Sequence, residues 1–202
     1  MKKYIPHILL VIYVIEFIFM GISPYSRDVW YAENAPIVLI VVGLVVLYVR
    51  GIRFSNTAYI LMSILPFLHT IGGHYTFERV PFEWFNNIFG FERNMFDRVA
   101  HFSVGFYAYA LMEYVTTRAR VATHFWGYLL SVACIMAIAA TYELIEWVYA
   151  AQEGGSAGAA FLGSQGDIWD AQKDMLMDTL GGIFVLIIFA IHNFWQKQTL
   201  QK

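Results

Sequence analysis

Cysteine is almost missing from this chain: Cys134 is the only one, and it lies inside an apolar run. No intrachain disulfide can form, so cysteine usage does not report the redox compartment. Such a thiol reads as a small buried apolar residue. Charge is also scarce, at 14% of 202 residues with a net of −2. Without a basic stretch, no nucleic-acid partner is expected. The Gly, Ala and Ser stretch from Gly154 to Gly166 is followed by no phosphate-cradling lysine, which excludes a P-loop; it is expected to be a flexible loop. Lys2 and Lys3 precede an apolar run as in a signal peptide, but Glu16 interrupts it and no small-x-small cleavage site follows. An uncleaved first span is the expectation.

What the chain has instead is apolar surface. Hydrophobic residues make up 59%, aromatics 18%, and the mean hydropathy is +0.55. These shares lie outside those of soluble domains and indicate a membrane protein, and spans of about 20 residues leave no room for a large soluble domain. Six apolar runs can be drawn, at about 5–22, 35–49, 56–72, 97–115, 126–151 and 174–193. They predict an all-α, polytopic bundle of six transmembrane helices forming one domain over residues 1–202. The second run is short, starting at Ala35 just before Pro36, and the third closes on Gly72-Gly73, a pair that readily ends a helix. Between Gly73 and Asp97 the rings of Tyr75, Phe77, Phe82, Trp84, Phe85, Phe89 and Phe91 suit the headgroup layer.

Orientation follows the basic residues. With the N-terminus inside, Lys2, Lys3, Arg50, Arg53, Arg118, Arg120, Lys197 and Lys202 are cytoplasmic, against Arg27, Arg79, Arg93, Arg98 and Lys173 outside. That bias predicts N-in, C-in. In this frame four segments carry ionisable groups to one outer-leaflet depth: His69 and His74; Asp97 and His101, one helical turn apart; Glu143 and Glu146; and Asp170, Asp174 and Asp178, which continue an acidic stripe from Asp167. A carboxylate at mid-membrane costs roughly 2.5 to 3.5 kcal/mol, so the set needs compensation. Arg98 and Lys173 look too few, whereas a divalent cation would serve. Imidazole with carboxylate admits zinc, manganese or iron; carboxylates alone admit magnesium or calcium.

The metal candidates are therefore His69, His74, Asp97, His101, Glu143, Glu146, Asp170, Asp174 and Asp178, with His101 or Glu146 as the general base. Asp97, Asp167 and Asp170 equally suit helix N-termini facing water. His69 and His74, five residues apart, meet only if Gly72-Gly73 bends the chain. Glu113 is placed to snorkel toward the cytoplasm and Glu16 to pair within the bundle. Met and Phe at helical spacing are core and imply no organic cofactor.

Four ordered motifs, His69-Thr70-Ile71-Gly72-Gly73-His74-Tyr75, Asp97-Arg98-Val99-Ala100-His101-Phe102, Tyr142-Glu143-Leu144-Ile145-Glu146-Trp147 and Gln165-Gly166-Asp167-Ile168-Trp169-Asp170-Ala171-Gln172-Lys173-Asp174-Met175, resemble the uncharacterised bacterial inner-membrane family typified by YjdF. The resemblance implies a multi-pass protein of the bacterial inner membrane and transfers no activity. The later half is more distantly similar to VanZ-like membrane proteins, associated with glycopeptide-antibiotic resistance. It shares their aspartate-basic-x-x-histidine entry at Asp97 to His101 and their aspartate-x-x-x-asparagine-x-x-glycine at Asp174 to Gly181, with Asp178 in place of the asparagine.

Three functions follow as expectations. The first is a metal-dependent hydrolase at the outer leaflet, acting on a lipid-linked or phosphate-bearing substrate. The second is ion- or proton-coupled transport through the buried carboxylates, which needs a polar path to the cytoplasm. The third is a non-catalytic polar clasp holding short spans together.

Overall fold

A computed structural model of the chain describes residues 4–118 and 123–199; the side chains of 156, 157, 160 and 195–199 are not described. The basic residues counted at Lys2, Lys3, Arg120 and Lys202 lie outside the described residues, as does the side chain of Lys197. The described residues form nine helices: α1 (Ile5–Met20), α2 (Arg27–Val49), α3 (Asn56–Tyr75), α4 (Glu83–Phe89), α5 (Phe96–Val104), α6 (Tyr107–Thr117), α7 (His124–Glu153), α8 (Gly155–Leu162) and α9 (Asp170–Thr199). The protein is an all-α membrane protein. Three helices are long and apolar enough to cross a bilayer, α2, α7 and α9 through Phe194, and α1 is a shorter apolar helix. Their outward faces are apolar, with Phe19, Leu39 and Ile187 exposed.

Capping sets several boundaries. Ser26 accepts a hydrogen bond from Val29 N–H (3.4 Å), so α2 starts at Arg27, eight residues before the start drawn from the sequence. Pro36 sits inside the helix rather than at its head. Ser55 caps α3 by accepting from Ala58 N–H (3.2 Å).

Gly72-Gly73 does not end α3, which continues to Tyr75. The two glycines serve close packing: a Cβ on Gly72 would enter the Phe77 ring, and one on Gly73 would meet Asn34 and Glu33 of α2. The fourth expected span is broken into α5 and α6 at Gly105, whose backbone lies against Gly181 and Gly182 of α9, too close to admit a side chain. The expected loop 154–166 contains α8, bounded by Gly154 and Gly163 at positive φ (64° and 60°) and held by Phe161 against Tyr149, ring centroids 4.3 Å apart.

Helix α3 packs against α1, α2, α5 and α6, and α9 against α5, α6 and α7. Met62, Met112, Ile135 and Val185 are fully buried between them. The connections gather at two ends. At one, Tyr25 N–H bonds to the His74 carbonyl (2.9 Å) and Asn94 N–H to Gln165 Oε1 (2.9 Å). At the other, Ser55 N–H bonds to Glu113 Oε1 (2.7 Å) and Arg118 to the Gly51 carbonyl (3.3 Å). The polar site lies toward the first end.

Candidate functional site

Burial leaves few places for charge, and the structure uses one. Arg98 is 3% exposed on the first turn of α5 and reaches across to α9, where it pairs with Asp170 and Asp174, and it approaches Asp167 of the preceding turn at 3.4 Å. Arg93 joins from the preceding loop: its Nη1 donates to Asp170 Oδ1 at 2.7 Å, and its Nη2 lies 3.8 Å from Asp97 Oδ2. Lys173 donates to Asp167 Oδ2 at 2.6 Å. That bond, with the Trp169 N–H, holds the Asp167 carboxyl below its ordinary 3.8. The planar guanidinium forks explain how two arginines serve four carboxylates.

Asp97 therefore does more than favour a helix start from the first turn, since its side chain faces Arg93 and His101. Arg93, which sequence reasoning left among the loop charges, is the missed partner. Its only signal was a spacing of four residues from Asp97. Arg93, Arg98 and Lys173 face the five carboxylates of Asp97, Asp167, Asp170, Asp174 and Asp178, with the His101 imidazole as a further basic group among them.

One turn deeper, His101 is held at both ring nitrogens. Nδ1 lies 3.2 Å from Asp178 Oδ1, while Nε2 faces Asp97 Oδ1 at 3.6 Å and Asp174 Oδ1 at 3.8 Å. Asp97, His101 and Asp174 are buried, and one donor atom of each lies within 4.8 Å of the others, close enough to share a metal ion. A carboxylate on the second ring nitrogen is the usual support of a ligating histidine. Arg98 already meets the Asp174 oxygen on this side, so a cation would share that carboxylate with it.

His101 and Asp97 border a cavity of about 80 Å³, whose other polar lining is Glu33, His69, Tyr142, Glu146 and Asp178, and whose cover is Phe161, Leu162 and Gly163 at the end of α8. That volume holds several waters, at roughly 10–15 Å³ of such space for one. On the wall away from Asp174, the Tyr142 hydroxyl donates to Glu33 Oε2 (3.3 Å) and lies 3.3 Å from His69 Nε2. The hydroxyl has one proton, so with that proton on Glu33 the His69 Nε2–H is the donor to Tyr142.

Glu33 was also missed. A second run drawn from Ala35 leaves Glu33 outside it, although Glu33-Asn34 sits at helical spacing from Ile37 and Ile40 on the face that α2 buries.

The candidates thus separate. His69, Asp97, His101, Glu146 and Asp178 line the cavity, and Asp174 stands behind His101. Asp170 belongs to the arginine cluster. Glu143 has a buried, unpartnered Oε1 and is electrostatically coupled to His101 and Asp174, but it does not line the cavity. His74 is not brought to the group: the unbroken α3 carries it to the helix end, where Nδ1 bonds to the Met20 carbonyl at 2.7 Å.

Residues 5–194 match the family described as "Predicted membrane protein (DUF2238)". The chain is 34% identical over 179 residues to the inner membrane protein YjdF of Escherichia coli, an alignment covering 86% of this chain and 83% of that one. No solved structure matches. The VanZ likeness finds no support among these matches.

Proposed function

The chain belongs to the DUF2238 family of membrane proteins, and from that premise we propose that its cavity is the site of a divalent-cation-dependent hydrolase of the bacterial inner membrane. In this reading the chain is one six-span domain, N-in and C-in, with the cavity at the outer leaflet. Its substrate carries a phosphate or lipid-linked head group. The observation that carries the reading is His101, which borders the cavity: Asp178 fixes Nδ1, and one donor atom each of His101, Asp97 and Asp174 lies within 4.8 Å of the others.

A bound divalent cation would polarise a phosphoryl oxygen and lower the pKa of water. The two carboxylates and the imidazole gathered there are donors that suit such an ion. The roles proposed for His101 then part: a ligating imidazole cannot also serve as general base, which leaves that work to Glu146. Glu146 would take the proton of attacking water as the new phosphorus–oxygen bond forms. Glu146 would return that proton to the oxygen that departs as the old phosphorus–oxygen bond breaks, while Tyr142, held by Glu33 and His69, lines the cavity beside it.

Metal content of the purified protein, measured after equilibration with zinc, manganese or magnesium, tests the reading. About one equivalent is expected, lost in His101→Ala and Asp174→Asn. Glu146→Gln should keep the ion and lose phosphate release from vesicles of mixed phospholipids. No bound ion in the wild type, with His101→Ala and Asp174→Ala both keeping native stability, would sink it.

A second reading, a polar clasp, is favoured by one observation, that Arg93 and Arg98 meet four carboxylates from two segments. It predicts unchanged thermal stability on chelation and no reaction on any phospholipid. Transport has no comparable support. Toward the other end lie Glu16 and the hydrogen-bonded line Tyr13–Thr70–Asn34, whose Tyr13 lines the groove between α1, α2 and α3.

A further inference from the structure

At the end of the bundle away from the cavity, α1, α2 and α3 leave an open groove of about 280 Å³ between them. Its walls are apolar, including Leu9, Leu10, Val41, Leu44 and Phe67, and its polar side chains are few. Tyr48 and His7 stand together in it, ring centroids 5.3 Å apart and edge to face. Past Tyr48 the helix ends and the chain turns through Arg50 and Arg53, both exposed. The Arg53 guanidinium lies 4.8 Å from the centre of the Tyr48 ring.

A third arginine, Arg118, reaches the same turn by donating to the Gly51 carbonyl. One acid stands near, Glu113, and its Oε1 is taken by Ser55 N–H. An apolar slot between α1, α2 and α3 thus lies beside the turn that carries Arg50 and Arg53 and that Arg118 contacts. A guanidinium over an aromatic face keeps its N–H edge free in the ring-parallel plane, the geometry in which arginine grips a phosphate with two bonds.

We propose that this groove binds an anionic phospholipid, with one acyl chain along α2 between α1 and α3 and its phosphate against Arg50 and Arg53. The membrane supplies apolar chains to any such slot; the arginines select an anionic head group among them. The site does not depend on the cavity or on any reaction there. It also sits at the end that the basic bias assigns to the cytoplasmic leaflet.

The test is a lipid titration of the full chain, delipidated in neutral detergent and read by native mass spectrometry. Dioleoyl phosphatidylglycerol is compared with dioleoyl phosphatidylcholine. One phosphatidylglycerol should bind in preference. Arg50→Gln/Arg53→Gln should weaken it about thirtyfold and bring it level with phosphatidylcholine, each cation near a lipid surface contributing about a fivefold factor. Ser63→Trp, which fills the groove, should weaken both lipids.

Equal binding of the two lipids by the wild type, or no change in the double arginine variant, overturns the proposal. So does glycerol phosphate binding at the arginines that Ser63→Trp leaves intact, which would mean a free anion. A dimer that Ser63→Trp dissolves also overturns it, since a second copy would then fill the groove. Should Ser63→Trp fail to fold, the arginine variant decides, because both its side chains are exposed.

Discussion

Arg98 is the residue on which the polar end of this protein turns. It is almost fully buried and pairs with carboxylates of one helix, α9, while being carried by another, α5. Removing one partner of a buried ion pair typically costs about 3–5 kcal/mol, because the remaining charges stay in the interior. Arg98→Met should therefore lower stability in detergent by that order, measured by chemical unfolding, and Arg98→Lys should not restore it, since an ammonium cannot reproduce a fork that spans Asp170 and Asp174.

Asp167 behaves differently, being at the loop edge. Its carboxyl is held below 3.8 by Lys173, so its contribution is fully present above about pH 4 and is lost as pH falls through the lowered value. Amide exchange in the 164–170 turn should rise over that acid window in the wild type, and already be raised at neutral pH in Lys173→Met.

At this scale the acidic stripe and His101 were legible as charges in apolar runs. Their partners were not. Arg93, on the loop before α5, and Glu33, on α2, differ from ordinary surface charges through the fold that turns them inward, and their spacings to Asp97 and to Ile37 mark that only faintly in the sequence.

Among the elements, glycine was the least legible signal. Gly72-Gly73 reads as a helix end because the residue is conformationally free, yet α3 passes through it and the missing side chains make room for Phe77 and α2. The same cause breaks the fourth span: Gly105 and Gly181 let the backbones of α5 and α9 approach closely. A Cβ on Gly181 would strike the Phe102 carbonyl, which is backbone and cannot swing aside.

Gly181→Ala should thus cost about 1–3 kcal/mol in unfolding assays, the range for overpacked contacts. Gly43→Ala, within α2, meets nothing within 4 Å and should be neutral or mildly stabilising, by less than about 1 kcal/mol. Equal costs at the two positions would show that helix propensity, and not the α5–α9 contact, governs both. Helix α8 escaped prediction for the opposite reason. Its alanines favour a helix and its two glycines oppose one, and packing of Phe161 on Tyr149 beside the cavity supports the helix that forms.

For the molecule as a whole, the membrane class was legible from composition alone, because no soluble domain could hide so much apolar surface. The direction of insertion rests on weaker ground, a bias of eight basic residues against five, of which Arg93 and Arg98 now prove to be engaged with carboxylates. The two ends of the bundle make the question testable. Ser23 and Glu92 are exposed at the end that carries the cavity, and Thr117 and Thr123 are exposed at the end that carries the groove. In a Cys134→Ser background, Ser23→Cys and Glu92→Cys should react with a membrane-impermeant maleimide in intact spheroplasts, whereas Thr117→Cys and Thr123→Cys should react only after lysis. The reverse pattern would turn the cavity toward the cytoplasm. A hydrolase of outer-leaflet lipids would then be excluded, while the cation site of His101, Asp97 and Asp174 would stand or fall on metal content alone.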